Sequence, residues 1–253
     1  MKITGNTVLI TGGGSGIGLA LARRLILNDN TVIVCGRDRA KLDAARSDLP
    51  TLITLQCDVA DADSRRALVA GLAERFPGLN VLVNNAGLLH VSDLTGPTLV
   101  QELEAEVATN LVAPVALANL LLPALQRQPA AAIVNITTGY VFLPSARVAS
   151  YSATKAALHV MTRALRFQLR STSIRVVEVM PPAVDTAMAS HYAGRKSSPA
   201  SIADRILKGL VRNEDEIVIG ISRLGRLLSR AVPRTGFHLM NRSGARQAGS
   251  TGT

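Results

Sequence analysis

The sequence has no tryptophan, and aromatic residues make up only 3% of its 253 positions. A nucleic-acid surface built on stacking rings therefore lacks its main ingredient, so nucleic acid is not an expected partner despite a formal net charge of +10. Cysteine is equally scarce. Cys35 and Cys57, with no metal-ligand spacing, argue against a disulfide framework or zinc site and read as small buried hydrophobes. His90, His159, His191 and His238 show no ligand spacing either, so no metal is expected. No run of eighteen apolar residues occurs, and Met1-Lys2-Ile3-Thr4-Gly5 passes directly into a strand pattern without an apolar signal stretch. The expectation is a cytoplasmic protein that does not cross a membrane.

What the chain does have is enough apolar residue, 47% against 18% charged, for one sizeable packed core. Apolar runs at 7–11, 31–36, 52–56, 81–84, 132–137, 174–180 and 217–219 read as strands. Between them, helical spacing covers 16–27, 39–48, 63–76, 99–122, 151–170 and 201–211. Nearly continuous apolar strands need cover on both faces, which points to a single doubly wound α/β domain: a parallel sheet of about seven strands with helices on each side. Its boundary falls at 1–221. Residues 222–253 form a basic extension without any acidic residue, amphipathic over Ser222 to Arg234 and expected to be disordered from about Ser243. That amphipathic segment suits a cover for the cleft, a subunit contact or a peripheral contact with an anionic membrane. The stretch Pro181 to Ser198 interrupts the alternation and reads as a long binding loop.

The first strand leads into Thr11-Gly12-Gly13-Gly14-Ser15-Gly16-Ile17-Gly18, a glycine-rich turn that opens a helix. Gly12, Gly16 and Gly18 let backbone approach a pyrophosphate, and the free N–H groups of the helix N-terminus attract its charge. At the end of the second strand, where a carboxylate would bond the adenine ribose, the chain reads Cys35-Gly36-Arg37-Asp38. Arg37 favours a 2′-phosphate and hence NADP(H), while Asp38 keeps NAD(H) open by pairing with Arg37 or reaching the ribose itself.

Tyr151 and Lys155 lie four residues apart on one helical face. A nearby ammonium favours the phenolate and brings the phenol towards useful acid/base chemistry. With the glycine turn, Asn84-Asn85-Ala86-Gly87 after the fourth strand and Asn110 in the next helix, the chain resembles the short-chain dehydrogenase/reductase family over nearly all of its first 220 residues. Lys2 to Thr7, Phe76 to Asn80 and Pro181 to Thr186 are similar to its bacterial DltE-like branch. The resemblance implies a Rossmann-type NAD(P)-binding domain and a hydride transfer between nicotinamide and an alcohol or carbonyl substrate, with Tyr151 as acid/base. It further implies that Gly12, Ser15, Gly16, Ile17 and Gly18 hold the pyrophosphate and that Asp58 and Val59 bracket the adenine. Asn85, Ala86 and Gly87 line the groove, and Val184 and Thr186 touch the nicotinamide. Lys155 bonds the nicotinamide ribose, and Asn110 supports a water-linked proton relay to it.

Two positions depart from the family pattern. Thr138 stands thirteen positions before Tyr151, where a serine is usual; it keeps the hydroxyl but adds a methyl and stiffens χ1. Pro182 replaces a frequent glycine and stiffens the turn. The pocket is expected from Leu88 to Leu94, Gly139 to Ala149 and the Pro181 loop, whose apolar content suits a partly hydrophobic carbonyl compound. The resemblance implies a homodimer or homotetramer through the long helices. The competing reading is a nucleotide sensor or scaffold with a retained groove and little turnover, against which the intact Tyr151/Lys155 pair argues.

Overall fold

A computed structural model describes residues 2–93 and 95–245. Strands β1 (Thr7–Thr11), β2 (Thr31–Gly36), β3 (Ile53–Gln56), β4 (Leu79–Asn84), β5 (Ala131–Ile136), β6 (Ile174–Met180) and β7 (Glu216–Val218) form one sheet in the order β3-β2-β1-β4-β5-β6-β7. Every pairing is parallel. The order reverses between β1 and β4, so the loops leaving their carboxyl ends diverge and open a crevice there.

Alternation along each strand divides the core in two. Val8 and Ile10 of β1 face one layer with Leu21 and Leu25 of helix α1 (Gly16–Ile26), Leu42 of α2 (Arg39–Asp48) and Ile202 and Ile206 of α7 (Pro199–Val211). Leu9 faces the other, with Leu68 and Leu72 of α3 (Ala62–Arg75) and Leu117, Leu121 and Leu125 of α5 (Ala113–Gln126). Each fully buried side chain of this kind contributes about 1.5–3 kcal/mol. The expected doubly wound, single-domain sheet is what forms.

The single helix expected over 99–122 is interrupted. Helix α4 (Leu99–Val107) passes through a π-helical turn (Ala108–Val112) into α5, so one extra residue is accommodated in that turn. By length and composition Leu99 to Gln126 could cross a membrane, but Leu117, Leu121 and Leu125 place it in the core. Helix α6 (Ala149–Gln168) begins two residues before Tyr151.

After β7 come α8 (Ser222–Ala231) and α9 (Pro233–Ala245), separated at Val232. Helix α9, opened by Pro233 at its first turn, runs through Ser243 to Ala245, into the stretch expected to be disordered. The rest of that stretch, 246–253, and Leu94 of the expected pocket lie outside the described residues.

Candidate active site

The turn after β1 is shaped by what its glycines exclude. Gly12 adopts φ +64°, and a Cβ there would stand 2.9 Å from the Ala86 Cα. At Gly18 a Cβ would stand 2.6 Å from Asn85 Nδ2 and 2.7 Å from the Gly12 carbonyl. The turn is stitched to β4 by Thr11, whose Oγ1 accepts from the backbone N–H of Asn85 and of Ala86, both at 3.0 Å. Asn85 Nδ2 donates back to the carbonyls of Thr11 at 3.0 Å and Gly12 at 3.1 Å. Helix α1 then starts at Ser15 with no side-chain cap bond. Its first N–H groups are left to meet an anion, which fits a dinucleotide pyrophosphate.

A cleft of about 550 Å³ extends from this turn in both directions. Gly12, Ser15, Gly16, Ile17, Arg37, Asp58, Val59, Asn85, Ala86, Gly87, Thr138, Tyr151, Lys155, Val184 and Thr186 line it. Gly18 lies beneath the turn and Asn110 behind the cleft wall; neither lines it. The expected Pro181 loop is pinned by a parallel bridge between Val184 and Ser197. Thr186 consequently closes over Gly16, where an added Cβ would meet its methyl at 3.0 Å.

At the adenine end Asp38 lines the cleft and pairs with Lys41 rather than with Arg37. Its carboxylate caps α2, accepting from Lys41 N–H at 3.2 Å, and pairs with Lys41 Nζ at 3.3 Å. Lys41, which sequence reasoning missed, lines the cleft with Arg37, so two cations face this end. The signal was its place in the first turn of α2, three residues after the cap. Asp58 is partly committed to an Asx turn, accepting from Ala60 N–H at 2.9 Å. Cys57 is a small buried hydrophobe of the second core layer, as expected, and also borders the cleft. The Cys35 thiol donates to it and Ser64 Oγ donates at 3.3 Å, holding Cys57 down at about 7, while Cys35 is pushed up.

At the other end, Tyr151 and Lys155 are both buried on one face of α6. Lys155 Nζ donates to the Ile136 carbonyl at 2.9 Å and lies 5.9 Å from the centre of the Tyr151 ring. Thr138 lines the cleft beside Tyr151, its Oγ1 accepting from the Tyr140 N–H at 3.4 Å. The electrostatic balance differs from expectation: burial pushes the Tyr151 phenol well above its ordinary range, Tyr140 and Glu106 add to this, and only Thr138 opposes it. Desolvation outweighs the ammonium. Burial also lowers Lys155 to about 8, against the pull of Glu178.

Two buried carboxylates thus stand behind the pair, and sequence reasoning found neither. Glu106 is fully buried; its Oε1 accepts from His90 N–H at 2.6 Å, and its Oε2 has no partner among the described residues. Glu178 accepts from Thr137 Oγ1 at 2.7 Å and meets His159 Nδ1 at 2.8 Å. Glu106 disfavours the phenolate and Glu178 favours the ammonium, so both bias the pair towards its protonated form.

Asn110 sits in the π-helical turn. Its Oδ1 accepts from Leu88 N–H at 2.8 Å, and its Nδ2 donates to the Leu88 carbonyl at 2.9 Å and to Thr154 Oγ1 at 3.1 Å. Gly87 lies between its Oδ1 and Lys155 Nζ: a Cβ there would stand 3.3 Å from one and 3.7 Å from the other. Beyond the pair, Leu88, Leu89, Tyr140, Met188, His191 and Tyr192 complete the cleft.

A family model described as short chain dehydrogenase matches residues 6–196. The chain is 50% identical over 191 residues to DltE of Bacillus subtilis (strain 168), an uncharacterized oxidoreductase, covering 74% of this chain and 75% of that one. It is also similar to a crystal structure of a short chain dehydrogenase from Burkholderia cenocepacia J2315 in complex with NADP. There the TM-score is 0.85 at 25% identity, over 95% of this chain and 99% of that one. A 3-ketoacyl-(acyl-carrier-protein) reductase from Brucella melitensis complexed with NADH shares the fold, with TM-score 0.79 and 24% identity over 87% of this chain and 100% of that one.

Proposed function

We propose that this chain, which belongs to the short-chain dehydrogenase/reductase family and to its DltE-like branch, reduces a partly apolar carbonyl compound, with Tyr151 as the proton donor and NADP(H) preferred over NAD(H). That it is a nicotinamide-dependent oxidoreductase follows from the family. The observation that carries the finer reading is the continuity of one cleft from the glycine turn to Thr138, Tyr151 and Lys155.

When bound, the reduced nicotinamide supplies a hydride to the carbonyl carbon. Tyr151 gives its hydroxyl proton to the carbonyl oxygen, which becomes the alcohol. A phenol kept protonated by burial is loaded for this step, and the ammonium of Lys155 stabilises the phenolate left behind. Thr138, beside that hydroxyl in the cleft, orients the same oxygen. Arg37 and Lys41 at the adenine end support the preference for a 2′-phosphate, and the Asp38 carboxylate beside them is partly engaged by the Lys41 N–H and ammonium. Leu88, Leu89 and Met188 support an apolar portion of the substrate. Exposed Val112 on the π-helical turn and Val160 and Phe167 on α6 support self-association through these elements.

The test follows NADPH fluorescence against a panel of ketones and aldehydes. The wild type consumes NADPH with at least one of them. Tyr151→Phe lowers that turnover by about 10²- to 10⁴-fold while NADPH still titrates the protein. A Phe variant with full turnover would refute the assignment. Binding of NADPH without consumption across the panel would mark a sensor instead.

A further inference from the structure

Helices α8 and α9 present a surface that the proposed reaction does not use. On α8, Leu228 turns inward: Gly236 of α9 packs against it and against Leu143, as the 3.4 Å and 3.1 Å approaches of an added Cβ show. Leu224, Leu227 and Ala231, at i, i+3 and i+7, form the adjoining, outward stripe, with Leu224 51% and Leu227 65% exposed. Ile221 before the helix and Phe237 and Leu239 on α9 are exposed as well. Arg223 and Arg230, two helical turns apart, flank the stripe. Arg230, Arg234 and Arg242 make no ion pair among the described residues, and beyond Glu216 the sequence has no acidic residue to neutralise them.

The surface is fixed to the cleft. Ser222 at the start of α8 packs on Gly139, next to Thr138, with only 2.3 Å between its Oγ and an added Cβ. Asn241 of α9 holds the loop after Tyr140, accepting from Ala146 N–H at 2.7 Å and donating to the Pro144 carbonyl at 3.1 Å.

We infer that α8 and α9 dock this protein on an anionic lipid surface, with the Leu224/Leu227 stripe entering the acyl boundary and the arginines meeting lipid phosphates. Charge decides among occupants. A second copy docked on the same face would oppose arginine to arginine with no carboxylate between them. A nucleic acid would leave the leucine stripe without an apolar partner, and the exposed rings of α9 among the described residues, Phe237 and His238, are too few to stack a run of bases.

The test is co-sedimentation of the full chain with vesicles of phosphatidylcholine alone and of phosphatidylcholine mixed with phosphatidylglycerol in equal parts. The protein is expected to sediment with the mixed vesicles only and to be released by salt. Arg230→Gln with Arg234→Gln lowers partitioning roughly 30-fold. Leu224→Gln with Leu227→Gln lowers it on the order of tenfold or more. All four side chains are exposed, and unchanged melting and NADPH titration verify the fold of both variants. No vesicle binding, equal binding to neutral vesicles, or full binding by either variant overturns the inference. So does a leucine variant that changes only the oligomeric state in sedimentation, or salt-sensitive capture of a homopolymeric RNA without any vesicle binding.

Discussion

Lys155 is tied to strand β5 more directly than to its partner in the pair: its ammonium donates to the Ile136 carbonyl at 2.9 Å and stands 5.9 Å from the Tyr151 ring centre. Burial therefore sets the charge of both groups before any ligand enters, lowering one and raising the other. Four predictions follow the consequences of this and of the cleft around it.

Lys155 has a folded-state pKa of about 8 against an ordinary 10.5. Between those values the unfolded chain binds more protons, so this group's contribution to stability rises with pH; below about 8 its desolvation penalty is present in full. Lys155→Met is expected to melt higher than the wild type at neutral pH, by about 3 kcal/mol at most. The difference should shrink as pH climbs through that window. A pH-independent difference in thermal melting would contradict this.

Removing the Thr11 hydroxyl while keeping its shape leaves the N–H groups of Asn85 and Ala86 without their shared acceptor. Thr11→Val is expected to cost about 1–3 kcal/mol in urea unfolding, and to weaken dinucleotide binding because the glycine turn loses its tie to β4.

Arg37→Ala and Lys41→Ala should each weaken NADPH binding by roughly tenfold while changing NADH affinity little, since each removes a charge-assisted contact to one phosphate. Fluorescence titration of the two cofactors side by side measures the ratio. Equal losses for both would remove the case for NADP(H) preference.

Cys57 borders the cleft and is held down at about 7, whereas Cys35 beside it is buried and pushed up. Iodoacetamide at neutral pH is expected to label Cys57 before Cys35, and a saturating dinucleotide should slow that reaction. Peptide mass spectrometry distinguishes the two sites.

Much of this was legible from pattern. The alternation of Val8, Leu9 and Ile10 between two helical layers gave the sheet, and the glycine turn, Tyr151 and Lys155 marked both ends of the cleft. Spacing made Tyr151 and Lys155 neighbours but was silent on their burial, because it reports which groups are close and says nothing of the water removed from around them. Glu106 and Glu178 escaped notice because nothing local distinguishes a buried carboxylate on a helix or strand from a solvated one; tertiary packing alone decides. Asp38 was ambiguous for a related reason: the same residue type caps helices and bonds riboses, and here it caps α2 while still lining the cleft. The break in 99–122 was hidden because a π-helical turn changes the register of apolar residues by only one position.

That turn constrains how the chain can vary. Deleting one residue between Ala108 and Val112 would restore a regular helix with both flanks in register, at the expense of the widened turn that carries Asn110. Leu117, Leu121 and Leu125 would keep their places on the sheet, while Asn110 would swing away from Leu88 and Thr154. Shortening this segment would thus spare the interior and lose the site, whereas length changes in the outer loops touch neither.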